Sequence, residues 1–236
     1  MLYRIDVQYA VGGVDVALAS TMGKNIVLIG GGTPGRIGRM LGDRLSDEGH
    51  AVYTLSHMDH GMPRSAVADF GDADDALSKF RALTADLDRI DVLFFNSNPR
   101  AQVNGEGCWK STGWVDKDLW LAMFTGHVVI PHMISLAALS KMDADSVILF
   151  MSTGMSMEVP RDGWTDLAGY ASAKAAQNHL MLALARHNDR DAKAAAVFPI
   201  IDYGDPDRLS SVFDRIHHLV TSFDPALSGT IVKVYC

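Results

Sequence analysis

Tyr170-Ala171-Ser172-Ala173-Lys174 sets a phenol and an ammonium four residues apart. On a helix that spacing turns two side chains only about 40° from each other, so they share one face. A cation beside a phenol favours the tyrosinate, drawing a group that ordinarily titrates at about 10 toward neutral pH. Such a phenol can give and take a proton at a reacting oxygen, which is general acid–base chemistry. The same spacing also arises by chance among six tyrosines, and then reads as a solvated pair on a helix face. Its position one loop after the apolar run Ser146–Met151 makes the pair informative.

A second segment could hold a ligand. Gly30-Gly31-Gly32-Thr33-Pro34-Gly35-Arg36-Ile37-Gly38 follows the apolar run Asn25–Ile29 and leads into a helical pattern over Ile37–Asp47. A glycine-rich turn between a strand and a helix lets backbone N–H groups approach a pyrophosphate. The helix N-terminus adds partial positive charge. Glycine is required where a Cβ would collide with the ligand or forbid a positive φ. An ordinary tight turn is the alternative reading.

Other chemistry-bearing residues organise less well. Of nine histidines, His57 and His60 are three apart and His217-His218 adjacent, with no set of three or four at metal-ligand spacing. No metal is therefore expected. Met151, Met155 and Met157 suit either an adaptable pocket or plain packing. Trp109 and Trp114 either cap a cleft or pack a long loop. Cys108 and Cys236 are too few for a disulfide framework and fit a reducing, cytoplasmic setting.

The elements that must position these groups follow from hydrophobic patterning. Strands are expected at Asn25–Ile29, Ala51–Leu55, Ser65–Ala68, Asp91–Phe95, Ser146–Met151, Ala194–Phe198 and Thr230–Val234. Helices are expected at Ile37–Asp47, Asp74–Leu87, Asp118–Ser140 (with a kink at Pro131) and Tyr170–His187. Segments 99–116, 153–168 and 200–225 read as loops that shape a pocket. The strands are continuous apolar runs alternating with helices. That predicts an α/β, doubly wound parallel sheet of seven strands buried on both faces by helices. The 236 residues, 48% hydrophobic and 21% charged, suit one domain over residues 22–236. Residues 1–21 read either as a non-native extension or early start, or as a short strand or arm on the domain. A net charge of −7 argues against a nucleic-acid partner. No apolar run is read as reaching the roughly 20 residues that span a bilayer, so no membrane is expected.

The glycine turn, the YASAK segment and the strand ending at a serine together resemble the short-chain dehydrogenase/reductase family in its classical form, over about residues 23–236. The resemblance implies a Rossmann-type fold, a nicotinamide cofactor and hydride transfer at a carbonyl or alcohol carbon. It implies a small carbonyl or alcohol substrate, and a homodimer or homotetramer often built on the two long helices. By position Tyr170 is the proton donor and acceptor. Lys174 binds the cofactor ribose and lowers the tyrosine pKa. Ser152 polarises the substrate oxygen, with Thr153 and Ser156 as substitutes, because Ser152 lies eighteen residues before Tyr170, beyond the family's usual spacing.

The sequence departs from that pattern at named places. Arg36 stands where the motif has its second glycine. Phe95-Asn96-Ser97-Asn98 replaces the usual segment after the fourth strand, leaving Asn96 to support the loop. His127 falls where the family has a catalytic asparagine, either relaying protons or making a structural hydrogen bond. Pro199-Ile200 replaces Pro-Gly. The resemblance puts Gly30, Gly32, Arg36, Ile37, Gly38, Ser56, His57, Asp69, Phe70, Asn96, Tyr170, Lys174 and Pro199 at the cofactor, with Asp69-Phe70 flanking the adenine. No carboxylate follows the second strand until Asp59, and Arg36 could meet a 2′-phosphate. NADP(H) is therefore favoured, with NAD(H) as the alternative. A nucleotide-binding regulatory or scaffold protein of the same fold, without catalysis, is the rival reading.

Overall fold

The computed structural model describes residues 7–9, 23–32, 35–97, 117–157, 168–199 and 206–234. Among the described residues eight parallel strands form one sheet. They are β1 (Val7–Tyr9), β2 (Asn25–Ile29), β3 (Ala51–Ser56), β4 (Ser65–Val67), β5 (Val92–Phe95), β6 (Val147–Met151), β7 (Lys193–Pro199) and β8 (Ile231–Val234). Their order across the sheet is β1-β8-β7-β6-β5-β2-β3-β4. All seven expected strands are present. The eighth, β1, pairs in parallel with β8, Val7 opposite Ile231, so residues 7–9 supply an edge strand.

Each central strand is apolar throughout because it faces helices on both sides. Val27, Ile29, Leu93, Phe95, Ile148 and Phe150 face one layer. There they meet α2 (Ala73–Leu83), α4 (Ile130–Leu139) and α5 (Ala168–His187) through Phe80, Ile134 and Met181. Ile26, Leu28, Val92, Phe94, Val147 and Leu149 face the other layer. There they meet α1 (Ile37–Asp47) and α6 (Pro206–Thr221). The alternation of odd and even residues into two cores is the period of two expected of strands.

Three expectations change. Residues 206–221 were expected within a pocket loop. They form α6, whose Val212, Phe213, Ile216, Leu219 and Val220 are buried in the second core. The amphipathic pattern over Asp74–Leu87 gives a helix only to Leu83. Asp72 starts it by accepting from the N–H groups of Asp74 and Asp75. Past Thr84 the chain turns, yet Leu87 still reaches the core. The expected single helix from Asp118 is α3 (Lys117–Phe124), a π-helical turn (Thr125–Val129) and then α4. Pro131 has no N–H to give the carbonyl four residues back, and its ring would crowd that carbonyl. The widened turn just before it, where Ile130 N–H donates to Thr125 O, relieves that conflict.

The segment Trp120–Leu139 is also long and apolar enough to cross a membrane by length and composition, which overturns the reading that no run is. It lies against the sheet, with Ile130, Ile134 and Ala138 buried in the first core.

Candidate active site

Because every strand is parallel, all their C-terminal ends share one edge of the sheet. Strands β2 to β4 wind to one side and β5 to β8 to the other. The reversal between β2 and β5 falls at that edge, the place where doubly wound folds bind ligands. The loops there carry the glycine turn after β2, His57 and His60 after β3, Asn96 after β5, Ser152 after β6 and Pro199 at the end of β7.

Tyr170 lies in the first turn of α5 and is half-buried, while Lys174 one turn later is buried. The Lys174 Nζ lies 5.9 Å from the Tyr170 ring centroid. It donates to the Met151 carbonyl at 2.7 Å and to Gln177 Oε1 at 3.0 Å. Two fixed acceptors thus hold an ammonium that burial would otherwise disfavour. His127, fully buried in the π turn, meets the Tyr170 ring edge-on at 5.4 Å and 68°. The structure therefore brings Tyr170, Lys174 and His127 together from two helices.

Ser152 sits just past β6 and is also buried, but its proton goes elsewhere. Its hydroxyl donates to Asn178 Oδ1 at 2.8 Å. Asn178 Nδ2 donates to Ser156 Oγ at 2.8 Å, and Ser156 Oγ donates to the Thr153 carbonyl at 2.6 Å. The two serine oxygens are 3.3 Å apart. A serine has one proton to donate, so in this arrangement both hydroxyls are committed inside the protein. The residues that organise this side of the site, Gln177 and Asn178, were not singled out in the sequence. Both are polar and buried on α5, one turn beyond the lysine.

The glycine turn is tight for reasons internal to the protein. Gly30 has φ +75°, and a Cβ on it would stand 2.4 Å from Ser97 Cα. A Cβ on Gly38 would stand 2.4 Å from both Asn96 Nδ2 and Gly31 Cα, which lets the head of α1 close on the turn. Asn96 Nδ2 approaches the Gly30 carbonyl at 3.5 Å. Arg36 precedes α1 in extended conformation, φ −108°, so a side chain there carries no backbone strain. It is exposed at the head of the helix.

The remaining expected cofactor residues divide. His57 is half-buried and meets His60 edge-on, ring centroids 6.3 Å apart. Burial, with the neighbouring His60 adding to it, holds His57 below the ordinary histidine value. The Ser56 hydroxyl donates to the Met58 carbonyl at 2.5 Å. Ile37 is a core residue of the second layer, and Phe70 is buried in the first core beside Ala76 and Phe80. Neither side chain opens to the edge. Asp69 is exposed, accepting from Gly71 N–H. Pro199 ends β7 half-buried. Trp109, Trp114, Cys108 and Cys236 lie outside the described residues.

One further group belongs here. A Cβ on Gly32 would stand 1.8 Å from His60 Cδ2, so the imidazole lies directly on that glycine. His60 Nε2 is buried with no hydrogen-bond partner among the described residues. A glycine turn at the switch point, a helix head behind it and this orphan nitrogen form a donor set suited to a phosphate-bearing dinucleotide.

No family model matches the chain, and no curated protein matches it in sequence. Solved structures do. An oxidoreductase of the short-chain dehydrogenase/reductase family from Brucella ovis, in complex with a partially ordered NAD, matches with a TM-score of 0.72 at 21% identity, over 90% of this chain and 100% of that one. A double mutant of a Serratia marcescens short-chain dehydrogenase/reductase matches with a TM-score of 0.71 at 19% identity, over 91% and 97%. The ligand-free aldohexose dehydrogenase of Thermoplasma acidophilum matches with a TM-score of 0.71 at 17% identity, over 91% and 93%. This chain therefore has the Rossmann-type fold of those dehydrogenases.

Proposed function

We propose that this chain is a short-chain dehydrogenase/reductase, an NAD(P)(H)-dependent oxidoreductase that interconverts a carbonyl and a secondary alcohol. The observation that carries the reading is the Tyr170–Lys174 pair on α5, its ammonium buried and fixed by Met151 and Gln177 beside the phenol ring. A pure binding protein has no use for that phenol. The nicotinamide, when bound, supplies or takes the hydride at the substrate carbon. The residues that would hold the cofactor are Gly30, Gly32 and Gly38 at the pyrophosphate, Arg36 at a 2′-phosphate, His57 toward the adenosine ribose and Lys174 at the nicotinamide ribose.

In the reducing direction Tyr170 gives its hydroxyl proton to the substrate oxygen as the carbonyl becomes an alcohol. The Lys174 charge stabilises the phenolate left behind. His127, edge-on to the ring, is the imidazole proposed to replace that proton. NADP(H) is the preferred cofactor because Arg36 is exposed at the head of α1 and Asp59 turns its carboxylate to the Gly61 N–H. Tyr170→Phe should lower turnover of any reduced ketone by about 10²–10⁴-fold, the usual worth of a general acid. Nucleotide affinity, read by reduced-nicotinamide fluorescence, should stay near wild type. Undiminished turnover in that variant would remove the mechanism.

The committed hydroxyls of Ser152 and Ser156 favour a second reading, a nucleotide-binding regulatory or scaffold protein of the same fold. Nucleotide binding with no turnover across a broad ketone and alcohol panel selects it. A homodimer or homotetramer is the proposed assembly. Leu121, Val129 and Leu136 are exposed along α3, the π turn and α4. Exposed Ser172, Ala175 and Ala183 on α5 leave room for close helix approach. Light scattering reads the mass, and a monomer at micromolar concentration would refute it. The proposed location is the cytoplasm, tested by fractionation of native cells.

A further inference from the structure

The ring of His60 and the α-carbon of Gly32 are in contact across two loops. The ring carbon nearest Gly32 is Cδ2, which is bonded to Nε2, so the orphan nitrogen lies beside the glycine turn. A buried nitrogen without a partner is a standing cost, and it is relieved by any acceptor that arrives. Swinging the ring off Gly32 breaks no hydrogen bond of that nitrogen. The loop has the means to move it. Gly61, next in the chain, sits at φ +65° with open space where a Cβ would stand, and Arg39 Nη1 donates to the His60 carbonyl at 3.0 Å.

We propose that His60 is a phosphate-reading residue of the nucleotide site: a phosphate entering over Gly32 displaces the imidazole, which then binds it through Nε2. This rests on the nucleotide-binding reading above and adds a side chain to it. The bond is charge-assisted when the imidazole is protonated, and so strengthens in acid. The charged and titratable groups of its own loop are His57, Asp59 and Arg64, and those at the head of and along α1 are Arg36, Arg39, Asp43, Arg44 and Asp47. Asp43 is paired with Arg39, and Asp59 accepts from Gly61 N–H, so neither carboxylate is spent on His60. Burial, with the neighbouring His60 adding to it, keeps His57 below the ordinary histidine value.

The test titrates the full chain with NADPH and with NADH at about pH 6 and about pH 8, following reduced-nicotinamide fluorescence. A 2′-phosphate itself titrates at about 6, so the effect is read as the difference between wild type and His60→Gln. Wild type should bind about tenfold tighter in acid, relative to the variant. His60→Lys, charged at both pH values, should bind tightly at both. If only NADPH shows the His60-dependent gain, the phosphate read is the 2′-phosphate. If NADPH and NADH both show it, the phosphate is in the pyrophosphate. Parallel pH profiles in wild type and His60→Gln overturn the inference and leave the cofactor reading intact. Tighter binding by His60→Gln at both pH values also overturns it, because the ring is then only an obstacle. Failure of wild type to bind either nucleotide removes both.

Discussion

Ser152 has one hydroxyl proton, and Asn178 takes it. That bond decides how much this serine can do for a substrate oxygen, because a donor spent inside the protein is not available outside it. Turning the Asn178 amide over would reverse both bonds, so that Ser152 accepts from Nδ2 and its proton is released. Asn178 is therefore the residue on which the state of Ser152 depends. Asn178→Leu leaves the buried Ser152 hydroxyl and the Ser156 oxygen without their amide partner. It should cost about 1–3 kcal/mol in urea unfolding, the usual worth of an orphaned buried group. An unchanged unfolding midpoint would mean that the hydroxyls find other partners. Tyr170 and Lys174 were readable in the chain because residues four apart on a helix meet whatever surrounds them. Asn178 lies on the same helix but carried no signal. Its partners sit 26 and 22 residues away, and only the folded sheet brings them to it. His60 was passed over for the same reason, its contact with Gly32 being made across two loops.

Elements were legible where one physical signal dominated. The strands β2, β5, β6 and β7 announce themselves as short apolar runs. Helix α6 was obscured by its polar face, although Val212, Phe213, Ile216, Leu219 and Val220 recur at the spacing of one helical stripe. The end of α2 was not readable, because a side chain distant in sequence sets it. Lys141 Nζ donates to the carbonyls of Thr84, Ala85 and Leu87 at 2.7, 3.1 and 2.6 Å. A cation there also meets the negative end of the helix dipole. Its own backbone carbonyl accepts from Ile90 N–H just before β5, so one residue stitches the end of α4 to the turn after α2. Lys141→Met keeps the aliphatic stem and removes the three donors. The variant should lose about 1–3 kcal/mol of stability with little change in far-ultraviolet circular dichroism. A midpoint equal to wild type would show that water replaces the ammonium at no cost.

At the scale of the molecule the two helical layers meet the sheet so completely that the fold follows from the strand pattern alone. The edge strand β1 is the exception, since its pairing with β8 is a backbone matter that apolar patterning does not mark. The same compactness makes the whole domain sensitive to acid. His50 accepts the Lys24 N–H on Nδ1 at 3.0 Å, where burial holds it below the ordinary histidine value of 6.5. His57 is lowered likewise. A histidine that is harder to protonate when folded binds more protons when unfolded, so stability rises with pH across its titration. The contribution of these two is fully present above about 6.5 and declines as pH falls below it. Glu48 acts in a lower window. Burial alone would raise its carboxyl, but hydrogen bonds from His217 on α6 and Arg44 on α1 outweigh that and hold it below its usual 4.5. Its contribution persists until pH drops below that value, and with it the Glu48–His217 hydrogen bond between the end of α1 and α6. Thermal melts in buffers from about pH 8 down to about pH 4 should therefore show a midpoint that is flat at first, then falls below about 6.5, then falls again in the carboxylate range. His50→Gln, whose amide oxygen can still accept from Lys24, should flatten part of the upper fall and leave the lower one. A wild-type midpoint that rises on acidification between about pH 7 and about pH 5.5 would contradict the downward direction in which burial moves both histidines.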